Sequence, residues 1–252
     1  QWIGGVGIIV MGMAILPFLR VGGMQLFRTE SSDRSDKILP RPGQIAGAIG
    51  GVYVFLTGVC SVFYVATGMS WFEALNHAMT TVATGGYSTS DSSLGNWGAP
   101  VQIVATVFML LGAVPFVLYV RAAQGRPAAL YRDTQVRALL GLLLVSIGSM
   151  AAWLVVTGQA DHLVALRLAA FNVVSIVTTT GYASADYWQW GGLAAVGFFC
   201  LTFVGGCTGS TAGGAYSRRG HLTATYAPSP PGGVRFHRGA IQNAPTVDGR
   251  GG

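Results

Sequence analysis

Five apolar runs, each close to the roughly 20 residues that a helix needs to cross a bilayer core, set the strongest limit on what this chain can fold into. They are Gln1–Leu19, Ile45–Ala66, Val101–Val120, Val136–Val156 and Leu193 to about Gly205. The last is short and runs into glycines, so it reads as a broken span. Charged residues make up only 10% of the chain, where a soluble domain usually carries about a quarter, so lipid is the expected solvent. Backbone groups in lipid must be satisfied internally, which leaves helices as the natural spanning element. The expected fold is an all-α membrane protein.

The cationic residues between the runs are unevenly shared. Arg20, Arg28, Arg34, Lys37 and Arg41 follow the first run, and Arg121, Arg126, Arg132 and Arg137 follow the third. Thr67–Pro100 holds no Lys or Arg, and Thr157–Gly192 holds only Arg167. The positive-inside rule puts the two basic loops in the cytoplasm and the other two connections outside. The net charge of +6 does not point to nucleic acid, because no basic stripe is interleaved with aromatics. Cys60, Cys200 and Cys207 lie in apolar stretches without metal-ligand spacing and read as buried free thiols. No cofactor is expected.

Both outside connections are too apolar for ordinary loops. Ser70–Met79 reads as a short helix with Ser70 as N-cap and Glu73 at the capping-box position. His162–Phe171 reads the same way, with Asp161 as cap. Neither can span, so each is expected to be a re-entrant half-helix ending in a Thr/Gly-rich turn. The two turns match as Val-x-Thr-x-Gly-Tyr-x-(Ser/Thr)-x-Asp, Val82–Asp91 against Val177–Asp186, an offset of 95 residues. Repeats with binding elements between them are a common plan for transport proteins.

The chemistry of the turns suits a cation stripped of water. Such an ion needs several oxygen dipoles at once, and backbone carbonyls supply them without a fixed charge that would trap it. Glycine permits positive φ, which turns successive carbonyls to one side. Each half-helix also aims the negative end of its dipole at its turn. No charged residue lies between Val82 and Ser90 or between Val177 and Ala185. The expected ion-coordinating residues are Thr84, Gly85 and Gly86 with Thr179, Thr180 and Gly181. Asp91 and Asp186 are expected at the outer mouth. A second polar stretch, Gly205–Gly214, interrupts the fifth run. It lacks the lysine of a phosphate-binding loop and the Gly-x-Ser-x-Gly of a nucleophile elbow. It reads as a gate, with Gly206, Cys207, Thr208, Gly209 and Ser210 as its candidates.

Together with Gln1–Ile8 and Gly22–Arg28, these motifs resemble the membrane subunit of Trk-type bacterial potassium uptake systems, the TrkH/KtrB superfamily, over roughly residues 1–214. The resemblance implies span–half-helix–span units around a potassium-channel-like pore, with potassium as the transported ion. By that likeness, 1–19 is the closing helix of a first repeat, 20–44 a cytoplasmic loop, and 45–120 a complete second repeat. Residues 121–135 are a further cytoplasmic loop, and 136–214 a third repeat with the family's intramembrane gating loop. The chain is then expected to be truncated at both ends. Residues 215–252, rich in Pro, Gly and Arg, are expected to form an aberrant, disordered tail. The likeness further implies a multi-pass protein of the bacterial inner membrane in contact with lipid, a homodimer, and a cytoplasmic nucleotide-binding regulatory subunit. Two rival readings stand beside it. One is a non-conducting structural fragment, and the other an intramembrane enzyme using Ser210 or His77.

Overall fold

Apolar helices of about 20 residues or more make up the frame. A computed structural model of the protein describes residues 1–7, 42–207 and 209–213. Thr208, Gly214, most of the expected first span and the loop after it, and the tail 215–252 lie outside the described residues. The described residues fall in the unit Gln1–Gly220.

Helix α1, Pro42–Ala66, opens on a proline, which costs nothing in a first turn because its missing N–H has no helical partner there. Its C-terminus folds back through Gly68, with Gly68 N–H on the Val65 carbonyl and Met69 N–H on that of Tyr64. Helix α2, Trp71–Val82, starts at once from Ser70. The Ser70 hydroxyl accepts from Glu73 N–H, and the Glu73 carboxylate accepts from Ser70 N–H at 3.2 Å, the reciprocal cap expected from the sequence. Those bonds to Ser70 hold the exposed Glu73 carboxyl below its ordinary pKa. With 12 residues, α2 is too short to cross.

The expected span Val101–Val120 is not one helix. Helix α3, Ala99–Gly112, and helix α4, Phe116–Ala123, meet at an angle of 89°. Pro115 explains the break: it has no N–H to give, and it disfavours the helical conformation at Val114 before it. After the short helix α5, Ala128–Arg132, Asp133 caps helix α6, Thr134–Val156, accepting from Gln135 N–H at 2.8 Å and Val136 N–H at 3.2 Å.

Helix α7, His162–Val177, runs six residues beyond the expected Phe171. Asp161 stands at its N-cap but its side chain caps nothing, which corrects the expected cap. A 3-10 turn, Tyr187–Trp190, is capped by the exposed Asp186, and helix α8, Gly192–Leu201, ends short of the expected Gly205. By length and composition, α1 and α6 can each cross a membrane, and α3 with α4 makes a third span if the bent pair counts as one.

Each long helix packs along the half-helix that follows it, α1 on α2 and α6 on α7, while α3 packs on α7. Small residues line these contacts: Ala74, Ala78, Ala105, Ala165 and Ala169 are all fully buried. Close packing of small residues is what holds helices together where lipid is as apolar as the side chains. Large apolar groups such as Phe55 on α1 and Leu144 on α6 face outward. Of the thiols, Cys60 and Cys207 are buried as expected, but Cys200 on α8 is exposed. Residues 2–7 are helical and lie against α1: Trp2 stacks on Tyr53, whose hydroxyl donates to the Trp2 carbonyl at 2.8 Å.

Candidate functional site

Both half-helices end in the same backbone motif. Behind α2, Gly85 N–H reaches the Thr80 carbonyl at 2.7 Å and Thr84 N–H that of Thr81 at 3.1 Å. Behind α7, Thr180 N–H reaches Ser175 at 2.9 Å and Thr179 N–H reaches Ile176 at 3.0 Å. This pair of bonds normally closes on a glycine in the left-handed region. Here the residue is a threonine in both places, Thr84 at φ 47° and Thr179 at φ 57°. A β-branched residue pays about 1 kcal/mol or more for that conformation, so its side chain must be held from outside.

Two residues further on, Gly86 and Gly181 are again left-handed, at φ 67° and 85°, while Gly85 and Thr180 between them are not. Alternating hands turn successive peptide planes the same way instead of to opposite sides as in a pleated strand. Among the described residues, no group donates a hydrogen bond to the carbonyls of Thr84, Gly85, Gly86, Thr179, Thr180 or Gly181. Flanking carbonyls are paired: Thr80 Oγ1 donates to Tyr87 at 2.8 Å and Ser175 Oγ to Tyr182 at 2.6 Å. The extended segments lie side by side, since a Cβ on Gly86 would overlap the Thr180 carbonyl oxygen.

A second pair of side chains ties each segment to its half-helix. His77 Nδ1 donates to the Glu73 carbonyl at 2.8 Å, which can only accept, and Nε2 pairs with Ser88 Oγ at 3.0 Å. The equivalent residue of the other repeat, Asn172, donates to Leu168 O and to Ser184 Oγ, each at 2.9 Å, and accepts from Ser184 N–H. The seam between repeats is closed by Tyr182, which is 2% exposed. Its hydroxyl meets Thr80 Oγ1 and Thr81 Oγ1 and lies within reach of the His77 carbonyl. Its counterpart Tyr87 is 65% exposed.

The polar loop after α8 sits against both segments and the bent helix at once. Cys207 N–H donates to Ala113 O, Thr211 N–H to Gly112 O, and Phe116 N–H to Gly209 O, at 3.1–3.3 Å. The loop thereby supplies partners that the break at Pro115 takes from α3 and α4. Thr211 Oγ1 lies 2.8 Å from Val82 O and 3.0 Å from Gly112 O. Thr84 Oγ1 donates to Thr211 O at 2.8 Å, and Gly213 N–H donates to Thr179 Oγ1 at 2.8 Å. These bonds are what hold the two left-handed threonines.

All six expected ion-coordinating residues therefore lie in the paired segments, and Gly206, Cys207, Gly209 and Ser210 lie in the loop. Thr211, the loop residue with the widest set of partners, was not among the sequence candidates. Nor were Thr80, Ser175 and Asn172, and His77 was offered only for the enzyme reading, although continuing the repeat alignment five residues backward pairs Thr80 with Ser175 and His77 with Asn172 at the same offset. The enzyme reading is corrected. Ser210 Oγ is buried and donates to Cys207 O at 2.6 Å, and both ring nitrogens of His77 are spent on structure. Among the described residues no group of three His, Cys, Asp or Glu could hold a metal ion.

A family model described as cation transport protein, TrkH, matches residues 1–219. The chain is 54% identical over 216 residues to the Trk system potassium uptake protein TrkI of Halomonas elongata, covering 85% of this chain and 44% of that protein. It is 36% identical over 220 residues to the Trk system potassium uptake protein TrkH of Escherichia coli strain K12, covering 85% and 45%. Among solved structures, the crystal structure of the potassium transporter TrkH from Vibrio parahaemolyticus superposes with a TM-score of 0.73 at 32% identity, covering 85% of this chain and 44% of that one. The chain thus spans less than half the length of the curated relatives it matches.

Proposed function

Because this chain belongs to the TrkH family of cation transport proteins, we propose that it forms part of the pore of a potassium uptake transporter. The carrying observation is the run of six carbonyls, unpaired among the described residues, on two adjacent segments, Thr84–Gly86 and Thr179–Gly181. An unpaired backbone oxygen at membrane depth is tolerated where it faces a polar path, and a dehydrated cation is satisfied by several such oxygens at once. The segments carry no charged side chain that would trap the ion, and the C-terminal ends of α2 and α7 add negative dipole. In this reading the loop residues Gly206, Cys207, Gly209 and Ser210 gate the path. The charge asymmetry supports basic loops in the cytoplasm of a multi-pass inner-membrane protein. A dimer with a cytoplasmic nucleotide-binding regulatory subunit completes the proposal; the words "Trk system" in the relatives' names support an assembly of more than one component.

The test uses a chimera in which residues 1–213 of this chain replace the matching segment of the Halomonas elongata relative. It is expected to restore growth of a potassium-requiring bacterium at low potassium and to take up rubidium. A chimera that inserts in the membrane yet gives no uptake above the empty vector would sink the proposal.

A further inference from the structure

We propose that Thr211 is a positioning residue that makes the loop and the two carbonyl segments one hydrogen-bonded unit, so that cation occupancy and loop position are linked. This rests on the pore reading above and adds a regulation to it. Four contacts carry it, the first two sharing the one Thr211 hydroxyl proton. Thr211 Oγ1 reaches Val82 O at the end of α2 and Gly112 O at the end of α3, its carbonyl takes the Thr84 hydroxyl, and two residues on Gly213 N–H holds Thr179 Oγ1. The loop cannot leave the bend between α3 and α4 without releasing Val82, Thr84 and Thr179 together.

The threonines at φ 47° and 57° strengthen the argument. Glycine would fill those positions without strain, so a threonine there is maintained by what its hydroxyl does. At Thr84 it donates to the loop, and at Thr179 it accepts from the loop. Once those hydroxyls are released, the left-handed conformation loses its support, and the carbonyls that follow lose their alignment. Linkage is reciprocal: whatever cation favours the aligned segments also favours the docked loop, by the same factor.

Cys207, 1% exposed and hydrogen-bonded through its N–H to Ala113 O, reports on the docked loop. The experiment follows alkylation of Cys207 by a small thiol reagent, resolved by peptide mass spectrometry, in the purified full-length chimera. It is run in potassium and in N-methylglucamine, a cation too large for the segments. Potassium is expected to slow the labelling. In Thr211→Val that slowing shrinks about fivefold, the weight of one buried hydrogen bond. Thr211→Ser, which keeps the hydroxyl, restores it, and this separates the hydroxyl from mere damage to the fold. Equal slowing in Thr211→Val and the unmodified chimera overturns the proposal, and so does an unmodified chimera whose labelling ignores potassium. Labelling needs no transport. A chimera without rubidium uptake therefore counts against the pore reading, while the potassium effect on Cys207 still decides this one.

Discussion

In the earlier repeat the half-helix is fastened to its segment by His77 and Thr80, in the later by Asn172 and Ser175. One half-helix has 12 residues and a complete capping box; the other has 16 and an unused Asp161. One tyrosine after the glycine is exposed, the other buried in the neighbouring repeat. The backbone path is nonetheless the same in both: two crossed bonds at the helix end, a left-handed threonine, one residue of the other hand, a left-handed glycine. The difference teaches that side chains here are interchangeable fasteners, and that the carbonyl path is the part with no substitute.

Substitutions at the two glycines test this most severely, in the full-length chimera. A Cβ at Gly86 would meet both a positive φ and the Thr180 carbonyl oxygen, whereas at Gly181 it meets a positive φ and no atom within 4 Å. Gly86→Ala is expected to remove most rubidium uptake. Gly181→Ala carries only backbone strain of about 1 kcal/mol or more, so it should lower the preference for rubidium over sodium while flux remains. Competitive uptake at matched expression reads both, and equal losses would mean that contact between the segments does not matter. At the seam, Tyr182→Phe should cost about 1 kcal/mol in thermal unfolding, since it strips a buried hydroxyl of its bonds. Tyr87→Phe should cost less, and the reverse order would break the contrast between buried and exposed copies.

The fasteners come next. If they are interchangeable, His77→Asn should keep the stability read by thermal melting within about 1 kcal/mol of the starting chain while His77→Ala falls below it. A histidine that tolerates neither would have a role beyond fastening. Smallest is the cap. Ser70→Ala should destabilise by about 1 kcal/mol and Asp161→Ala by less, because only Ser70 makes the bond. The Glu73 carboxyl is held below its ordinary pKa, so its half of the cap is fully present above the unfolded-state value and fades as pH falls through the lowered one. The Ser70→Ala penalty should shrink across that acid range, as measured by thermal melting at stepped pH.

Much of the frame was legible from the sequence because it is local. The apolar runs mark α1 and α6, and Ser70 with Glu73 marks the start of α2. The end of α7 was not legible. Asn172 and Ser175 look like residues leaving a helix, yet they stay in it because Ser184 and the Tyr182 carbonyl, beyond the turn that follows, take their hydrogen bonds. The break at Pro115 was hidden in an unbroken apolar run, since the loop that satisfies its backbone comes some ninety residues later. The glycines of the site could be read from their chemistry. Thr84 and Thr179 could not be read as left-handed, for nothing local favours a β-branched residue there. Their support is tertiary, and so is the importance of Thr211.

The seat of Tyr182 also fixes an order of assembly. Its hydroxyl finds every partner in the earlier repeat, among them Thr80, 102 residues before it in the chain. Thr80 does not need Tyr182 in return, because Asn76, His77 and Tyr87 offer it carbonyls within its own repeat. During synthesis at roughly 5–20 residues per second, Thr80 and its local partners up to Tyr87 are therefore made about 5–20 seconds before Tyr182. The later repeat cannot bury its tyrosine alone without stranding a hydroxyl. The ribosome thus delivers the seat of Tyr182 before the tyrosine that fills it.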